Sequence, residues 1–277
     1  MDDRSPGPVG EPRQRWRVVF GHDPDAENET RSDPVEAWTT ALSAAGIPLA
    51  IGGGKGGRAR ISFGAPLPTG MAGEAELADL VLTERRTRSD IAARLTAGLP
   101  PGDRLVDLFD VWLGAPALAG QVVAADFRVT IRATPSARIA DACSAVLGAT
   151  TLERTRSKGA GRAVSYDLRP LVLDLAVAPH RATGDHVGNS EDHAPDRDTA
   201  LVRMRLRIAQ DGAAGRPGEV VLALGEVLEE PLDVTSTVRE RLLTGDEPAP
   251  IVDRAASPSV SRPASRPSST LDGARRV

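Results

Sequence analysis

The chain has 277 residues, of which 40% are hydrophobic and 26% are charged, a balance typical of one large folded domain or two small ones. Its net charge of −4 at pH 7 does not by itself favour nucleic acid or an anionic membrane as a partner. A single cysteine, Cys143, excludes an internal disulfide framework. No apolar run approaches the roughly 20 residues that cross a bilayer, so we expect a cytoplasmic protein with no membrane segment.

The chain contains three polar segments that are predicted to lie outside the folded regions. Residues 1–14 are predicted to be a disordered lead-in, since they are rich in Pro and Gly and lack the apolar core of a signal peptide. Residues 244–277 contain five prolines and six serines without apolar periodicity, so they are predicted to be a disordered tail. Residues 181–199 are predicted to be a long surface loop. Two folded regions remain, at 15–120 and 121–243.

The first region begins with a strand-like segment at Trp16–Phe20, followed by a helix with a clear start. Asp33 is the predicted N-cap, with Pro34 and Glu36 in the first turn, and Gly46 is the predicted left-handed stop. Thr87 is predicted to cap a second helix. The remaining predicted strands of this region are Ile47–Ile51 and Ala59–Phe63, which form a hairpin around a glycine-rich loop, then Leu77–Thr83 and Leu105–Leu113.

The second region repeats this order. Phe127–Ala133 is a predicted strand, and Thr134 with Pro135 is predicted to cap a helix that carries Ile139 and Cys143 on its apolar face. The later predicted elements are the hairpin strands Leu152–Arg156 and Ala163–Asp167, the strands Leu171–Ala178 and Leu201–Ala209, and a short helix at Gly218–Leu228. The repeated order predicts an α+β protein of two ferredoxin-like or related β-α-β-β lobes with antiparallel sheets.

The sequence contains no recognisable catalytic motif. The glycine loop at 52–57 resembles a phosphate-binding loop, but Lys55 is followed by Gly56 and a predicted strand, whereas a P-loop requires Ser or Thr and a helix. Three of the four histidines fall in the loop at 181–199 or just before it, where no fixed geometry would hold a metal. Cys143 on an apolar helix face is predicted to be a buried structural thiol. We therefore expect no cofactor, no metal and no catalytic residue.

The most suggestive feature is a cluster of cations in the second region. Because side chains alternate along a strand, Arg154, Arg156 and Lys158 should share one face of the hairpin. Such a face needs an anion or a pairing acid opposite it, and phosphate would suit. The alternative is a solvated edge strand that charge protects from aggregation. The complete set of candidate RNA-binding residues is Arg154, Arg156, Lys158, Arg162 and Arg169, with Lys55, Arg58 and Arg60 as a weaker second patch.

Residues at about 15–243 resemble the radical-SAM-linked proteins, a bacterial family of uncharacterised function. The segments that carry the resemblance are Arg15-Trp16-Arg17-Val18-Val19-Phe20, Val35-Glu36-Ala37-Trp38, Ala45-Gly46-Ile47-Pro48-Leu49-Ala50, Arg60-Ile61-Ser62-Phe63, Ala65-Pro66-Leu67-Pro68-Thr69-Gly70, Glu74-Ala75-Glu76-Leu77, Ala125-Asp126-Phe127-Arg128-Val129, Asp167-Leu168-Arg169-Pro170 and Arg216-Pro217-Gly218-Glu219-Val220. The resemblance implies an accessory role that presents or grips a substrate, with RNA as the expected substrate. One cysteine cannot hold the iron–sulfur cluster of a radical SAM enzyme, which needs three.

Two hypotheses follow. The first is a non-catalytic, RNA-binding or substrate-presenting module that serves a separate radical SAM enzyme. The second is a protein-interaction subunit that docks such an enzyme, which would require an exposed apolar patch in place of a basic one. An RNA-modification enzyme is a third interpretation, and it would require an acid in a cleft.

Overall fold

The computed structural model describes residues 10–24, 33–53, 57–158, 162–178, 199–208 and 214–245, without the side chains of Ser157, Lys158 and Arg162. The predicted lead-in at 1–14 lies outside these ranges except for its last five residues, and the predicted tail except for its first two. The predicted loop at 181–199 lies outside them except for its final residue. The predictions of disorder for these segments therefore concern residues that are not described.

The described elements form two similar halves. The first half contains β1 (Gln14–His22), α1 (Pro34–Ala44), β2 (Ile61–Phe63), β3 (Ala72–Leu82), α2 (Arg88–Gly98) and β4 (Asp103–Val111). The second half contains β5 (Val122–Arg132), α3 (Ser136–Gly148), β6 (Glu153–Lys158), β7 (Arg162–Asp167), β8 (Val172–Val177), β9 (Thr199–Arg207), α4 (Pro217–Leu228) and β10 (Asp233–Thr244). The prediction of a mixed protein of helices and mostly antiparallel strands is confirmed.

One sheet unites both halves. Its strands follow the order β4-β1-β3-β10-β5-β9-β8, and β2 pairs with the other end of β3. All neighbours are antiparallel except β3 and β10, which run parallel over Ala72–Gly73 and Val238–Arg239. Each half contributes four strands in equivalent order, β4-β1-β3-β2 and β10-β5-β9-β8. The hairpin β6–β7 is a separate two-stranded sheet inserted between α3 and β8.

Local sequence determines where the helices of the first half begin. The Asp33 side chain accepts hydrogen bonds from the backbone of Val35 and Glu36, and the Thr87 side chain accepts one from Asp90. Gly46 follows α1 with φ +69°, a left-handed conformation that glycine adopts without strain. The predicted starts of these two helices and the predicted stop at Gly46 are confirmed.

The second half departs from the predicted starts. Helix α3 has Pro135 at its N-cap and no side-chain cap, whereas Thr134 is buried. Its predicted cap role was wrong: the N-cap position falls on Pro135, and Ala133 just before Thr134 has a left-handed φ of 62°. Helix α4 begins at Pro217 after Arg216, again without a side-chain cap.

The strand predictions need two further corrections. Ile47–Ile51 and Ala59–Phe63 do not form a regular hairpin: they share one isolated bridge between Ile51 and Ala59, and β2 pairs with β3. The second correction is β10, a twelve-residue strand at Asp233–Thr244 that the sequence did not predict. Its apolar residues do not alternate, and its position is decided by pairing with both β3 and β5.

Two hydrophobic clusters fill the space between sheet and helices. In the first half the cluster includes Trp16 and Val18 of β1 together with Trp38 and Leu42 of α1. In the second half it is almost entirely aliphatic, with Phe127 as the one buried aromatic residue among its described members. Among the described residues, no helix is long and apolar enough to cross a membrane.

Candidate nucleic-acid interface

The hairpin β6–β7 is held on helix α4 by the arginines that the sequence singled out. Arg154 Nη2 donates to Glu226 Oε2 at 2.9 Å. Arg156 donates through Nε and Nη2 to the two carboxylate oxygens of Glu219, both at 2.9 Å. Both arginines therefore point to the same side, as the alternation predicted, and the pairing acids lie opposite them on α4.

Glu219 is the centre of this docking contact. Tyr166 also donates its hydroxyl to Glu219, and the Arg156 guanidinium lies 4.1 Å from the centre of the Tyr166 ring. Burial alone would raise the pKa of Glu219, but the hydrogen bonds from Arg156 and Tyr166 outweigh it and hold that pKa below its usual value. The contact is thus an ionised, bidentate pair at neutral pH.

Arg169 has an equally internal set of partners. Its Nε donates to the carbonyl of Leu147 in the last turn of α3 at 3.0 Å, and its Nη1 donates to the carbonyl of Val172 at 2.8 Å. Asp167 accepts from the backbone N–H groups of Leu152 and Arg169, which lowers the pKa of its carboxyl group. Arg169 therefore satisfies a carbonyl at the end of a helix.

The other predicted cations are only partly described. Those whose side chains lie outside the description are Lys55, Lys158 and Arg162. In the first half Arg58 forms an ion pair with Asp33 at the start of α1, and Arg60 is exposed. Binding of RNA by any of the eight predicted residues stays a prediction.

A different set of arginines lines the face of the sheet opposite the helices. In the first half Arg15 and Arg17 both donate from Nε to Asp79, each at 2.9 Å. The Asp79 side chain is 1% exposed. Arg15 also donates to the carbonyls of Ala115 and Pro116, so the chain between β4 and β5 covers this cluster.

The second half repeats the cluster without that cover among the described contacts. Arg205 donates from Nε and Nη2 to the two oxygens of Asp126 at 2.6 and 2.9 Å, and Arg241 Nε donates to the same carboxylate at 2.8 Å. Burial alone would raise the pKa of Asp126, but these hydrogen bonds lower it. Two guanidinium groups on one carboxylate leave the cluster a positive charge, and the Arg241 side chain is 56% exposed.

Neighbouring strands extend the row of arginines. Arg128 on β5 pairs with Glu240 and also with Glu74 on β3, so the helix-free surface is continuous across the junction of the halves. Arg203 on β9 lies 3.5 Å from Glu240. We call this surface the arginine face, and its accessible members are Arg128, Arg132, Arg203, Arg207 and Arg241.

Sequence reasoning missed the arginine face although a signal for it exists. Arg203, Arg205 and Arg207 alternate along a segment that was predicted as a strand, with apolar residues between them. A period of two places such residues on one face. Arg239 and Arg241 are also two positions apart, but a register shift of β10 between them places only Arg241 on this face, and the strand that contains them was not predicted.

A cavity of about 420 Å³ lies at the end of β1 in the first half. Its wall is formed by the ends of β1 and β2, the start of α1, the loop between β2 and β3, and the start of β4. The lining residues are Phe20, His22, Asp23, Pro24, Pro34, Trp38, Phe63, Ala65, Pro66, Leu67, Pro68, Thr69, Gly70, Glu76, Pro101 and Asp103. Several segments that carry the family resemblance therefore meet at this cavity.

Three aromatic rings form the apolar side of the cavity. Phe20 and Trp38 have ring centroids 4.8 Å apart at 63°, and Trp38 and Phe63 have centroids 5.2 Å apart at 81°. Both are edge-to-face arrangements. Asp103 fixes the polar side, because it accepts from Trp38 Nε1 at 2.8 Å and lies 2.7 Å from His22 Nδ1. Among the described residues, no group of three His, Cys, Asp or Glu side chains could hold a metal ion.

The second half holds the cavity wall in place through Arg239, which is not itself a lining residue. Arg239 on β10 is buried and donates from Nε to Glu76 Oε1 at 2.7 Å. It also donates to the carbonyls of Pro66 and Ala65 at 2.9 and 3.1 Å. This pair neutralises Glu76 and fixes the loop between β2 and β3, so the wall of the cavity is preorganised by contacts across the β3–β10 junction.

Cys143 takes no part in either surface. It is buried on α3, and burial raises the pKa of its thiol to about 12, which keeps it protonated at neutral pH.

A family model described as "Uncharacterized protein conserved in bacteria (DUF2344)" matches residues 15–213. No curated protein matches the chain significantly. A solved structure described as an unknown protein from Galdieria sulphuraria is similar at 17% sequence identity, covering 82% of this chain and 98% of the other, with a TM-score of 0.21. A TM-score this low does not define a shared fold.

Proposed function

The chain belongs to the uncharacterized family conserved in bacteria whose model matches residues 15–213, and from that premise we propose that it is a non-catalytic RNA-binding module. The proposed role is to hold an RNA substrate for a separate radical SAM enzyme, as the resemblance of the sequence implies. The proposed binding surface is the arginine face.

The observation that carries this proposal is the Asp126 cluster. Arg205 already occupies both oxygens of Asp126, and it is buried. Arg241 shares the same carboxylate while more than half of its side chain is exposed, so it is a surplus cation at the surface. A guanidinium group in this position can contact a phosphate oxygen without leaving a buried acid unpaired.

The geometry of the face also suits a polynucleotide. The strands of an antiparallel pair lie about 5 Å apart, so arginines on neighbouring strands form a row that can follow a phosphate backbone. The net charge of −4 means that the rest of the chain offers no general attraction for RNA. Binding would therefore be confined to this face and would weaken with salt.

The strand order supports a duplicated architecture. Each half follows the order β-α-β-β-α-β with the first strand between the third and the fourth, which is the arrangement of a ferredoxin-like unit. We therefore propose two ferredoxin-like units, the second of which carries the β6–β7 hairpin as an insertion. In such a unit both helices cover one face of the sheet and leave the other available for RNA.

The test is a titration of fluorescein-labelled single-stranded RNA, followed by anisotropy at several salt concentrations. The variant combines Arg132→Ala, Arg207→Ala and Arg241→Ala. If the arginine face binds RNA, the affinity falls and the slope of log K against log salt becomes shallower by about 2, since each phosphate contact to a single strand contributes about 0.7. Thermal unfolding checks that the variant is folded.

Matched variants separate this surface from the two patches that the sequence predicted. One combines Lys158→Ala with Arg162→Ala at the hairpin, and another combines Lys55→Ala with Arg60→Ala. Arg138→Ala is the control, because Arg138 is exposed on α3 and paired with Glu230 on the helix side. Loss of binding only in a predicted-patch variant would move the site away from the arginine face, and no binding in the unmodified protein would refute the proposal.

A second candidate function rests on an exposed apolar patch. Val106 and Phe109 on β4, the outer strand of the sheet among the described elements, are each 50% exposed, and Trp112 just beyond it is 78% exposed. Exposed apolar side chains along a strand edge that has no partner among the described residues are typical of a protein interface. The patch favours the alternative of a subunit that docks a radical SAM enzyme.

The docking candidate is tested with a double variant, Phe109→Ser with Trp112→Ser. A radical SAM enzyme from the native host should be retained by the unmodified protein after nuclease treatment and lost with the variant. Retention that disappears with nuclease would indicate an RNA bridge, and retention by the variant would exclude this patch as the interface.

A further inference from the structure

The cavity in the first half differs from the arginine face in the charge of its side chains. None of the sixteen described residues that line it is Arg or Lys, and three of them are carboxylic acids: Asp23, Glu76 and Asp103. Arg239 neutralises Glu76, but Asp23 and Asp103 would still oppose a phosphate group, so the cavity is unsuited to the part of RNA that the arginine face would hold. Its ligand must be uncharged or cationic.

The shape of the cavity selects a flat apolar group. Phe20, Trp38 and Phe63 contact one another edge to face and form one wall. A volume of about 420 Å³ lies within the range of small-molecule sites, about 300–1,000 Å³, and such sites combine aromatic walls with a few fixed polar groups. Phe20 and Trp38 are buried, so a planar heteroaromatic ring would lie with one face against the half-buried Phe63.

The hydrogen-bonding groups of the wall are mainly acceptors. Five of the sixteen lining residues are prolines, which have no backbone N–H to donate: Pro24, Pro34, Pro66, Pro68 and Pro101. Trp38 Nε1, the one indole donor of the wall, is already bound to Asp103. Arg239 already donates to Glu76 and to the carbonyls of Ala65 and Pro66, but the wall as a whole still favours a ring that donates a hydrogen bond.

His22 adds a second polar group to the same wall. Its Nδ1 lies 2.7 Å from the Asp103 carboxylate, which favours a proton on Nδ1. In the neutral imidazole Nε2 is then the acceptor, so it also selects a donor on the ligand. The His22 side chain is 35% exposed, whereas Asp103 is 4% exposed, so the acid orients a ring that stays accessible.

From these features we infer that the cavity binds an amino-substituted heteroaromatic ring of the size of a purine, such as an unpaired adenine. The ring lies against Phe63 and its amino group donates to the acceptor groups of the wall. The inference rests on the proposed function only for the source of the ring, which is either an unpaired base of RNA or a free nucleoside. Phosphate groups of a bound RNA remain outside the cavity.

The first experiment uses the full chain and two nucleosides in calorimetric titrations. Adenosine should bind, whereas purine riboside, which lacks the amino group, should bind at least tenfold more weakly. A tenfold loss is a modest expectation, because a site that is built to accept a hydrogen bond rejects an analogue without the donor. Equal affinity for the two nucleosides, or no binding of adenosine, would overturn the inference.

Two variants tie the binding to this cavity. Thr69→Trp fills the mouth from an exposed loop position and should abolish adenosine binding, whereas the matched change Thr69→Ser should leave it intact. His22→Gln keeps a neutral polar side chain and should weaken binding at least fivefold without lowering thermal stability. Unchanged affinity in a folded Thr69→Trp protein would place the nucleoside elsewhere and refute the assignment.

An RNA titration then distinguishes the two sources of the ring. Two oligonucleotides of uridine are compared, one with a single central adenosine and one with an abasic residue at that position. Tighter binding of the first, lost in Thr69→Trp, identifies an RNA base as the ligand. Adenosine binding without any RNA binding would refute the proposed function and leave the cavity assignment intact as a free-nucleoside site. RNA binding that depends neither on the adenosine nor on Thr69→Trp, together with no adenosine binding, would refute the cavity assignment and leave the proposed function intact.

Discussion

The molecule contains two clusters of the same chemical type, one covered by the chain and one exposed at the surface. Asp79 in the first half and Asp126 in the second each bind two arginines on the helix-free face of the sheet. Arg17 lies directly opposite Asp79 across its strand pair, and Arg205 lies directly opposite Asp126, so the signs of the charges are exchanged between the halves. The cross-strand ion pair is thus a repeated structural element.

The difference lies in what covers each cluster. The chain between β4 and β5 passes over the first, where the Arg15 side chain is 8% exposed and donates to two carbonyls of that segment. In the second, Arg241 is 56% exposed. Aspartate and arginine therefore form a buried structural contact in the first half and a candidate binding surface in the second. The path of the β4–β5 connection decides the difference.

The largest expected effect on stability, and the most direct test of this comparison, comes from replacing Asp126 or Asp79. Asp126→Ala leaves the Arg205 guanidinium buried without a carboxylate and should lower the free energy of unfolding by about 3–5 kcal/mol. Asp79→Ala should cost less, because Arg15 keeps the carbonyls of Ala115 and Pro116. Urea denaturation of both variants measures the difference.

The control for this pair is Glu226→Ala. The Glu226 side chain is 65% exposed, so loss of its contact with Arg154 should change the free energy of unfolding by no more than about 1 kcal/mol. A loss in Asp126→Ala no greater than in this control would mean that the buried cluster does not stabilise the fold.

An intermediate effect tests the hairpin against the arginine face. Arg156→Ala removes a bidentate contact to Glu219 and should lower the free energy of unfolding by about 1.5–3 kcal/mol, the usual contribution of hydrogen bonds to charged groups. Hydrogen exchange of the β6–β7 amides should increase at the same time. An Arg156→Ala protein with unchanged stability but no RNA affinity would show that this arginine binds RNA and does not dock the hairpin.

A smaller effect compares the helices of the two halves. Thr87→Ala removes a side-chain cap from α2 and should cost about 1 kcal/mol. Arg216→Ala at the N-cap of α4 removes no capping bond and should stay within about 0.5 kcal/mol of the unmodified protein. Thermal unfolding monitored by circular dichroism measures both, and equal losses would contradict the difference in capping.

The smallest effect is the acid dependence of the hairpin contact. The pKa of Glu219 is lowered in the folded protein, so its stabilising charge is fully present above its ordinary pKa of about 4.3. That contribution is lost as the pH falls through the lowered pKa. Glu219→Gln keeps the shape, so it should be slightly less stable than the unmodified protein at pH 7, and the two curves should converge below about pH 4. A difference that grows on acidification would contradict this assignment.

Much of the local structure could be predicted because its causes are local. Asp33 and Thr87 begin helices through hydrogen bonds to residues two or three positions away, and Gly46 ends one through its own backbone freedom. Thr134 was predicted to cap α3 because its residue type is typical of N-caps, but its side chain is buried and forms no cap. Strand β10 could not be predicted, since its partners β3 and β5 lie about 100 residues or more away in the sequence.

The candidate site was harder to predict than the fold. The cluster of cations at Arg154 and Arg156 was visible in the sequence, but their partners Glu226 and Glu219 are about 60 to 70 residues away. The arginine period of β9 was equally visible, but its significance depends on which face the helices leave free. The aromatic cavity gathers residues from five elements and had no local signal.

The sequence by itself determined the alternation of helix and strand, the first-half helix caps, the buried Cys143 and the shared orientation of Arg154 and Arg156, because each depends on neighbours a few residues apart. Only the tertiary structure decided which arginines are free and which are bound. An ion pair forms between groups that the fold brings within about 4 Å. The pairing of β1 with β3 sets that distance for Asp79, and the position of α4 sets it for the β6–β7 hairpin.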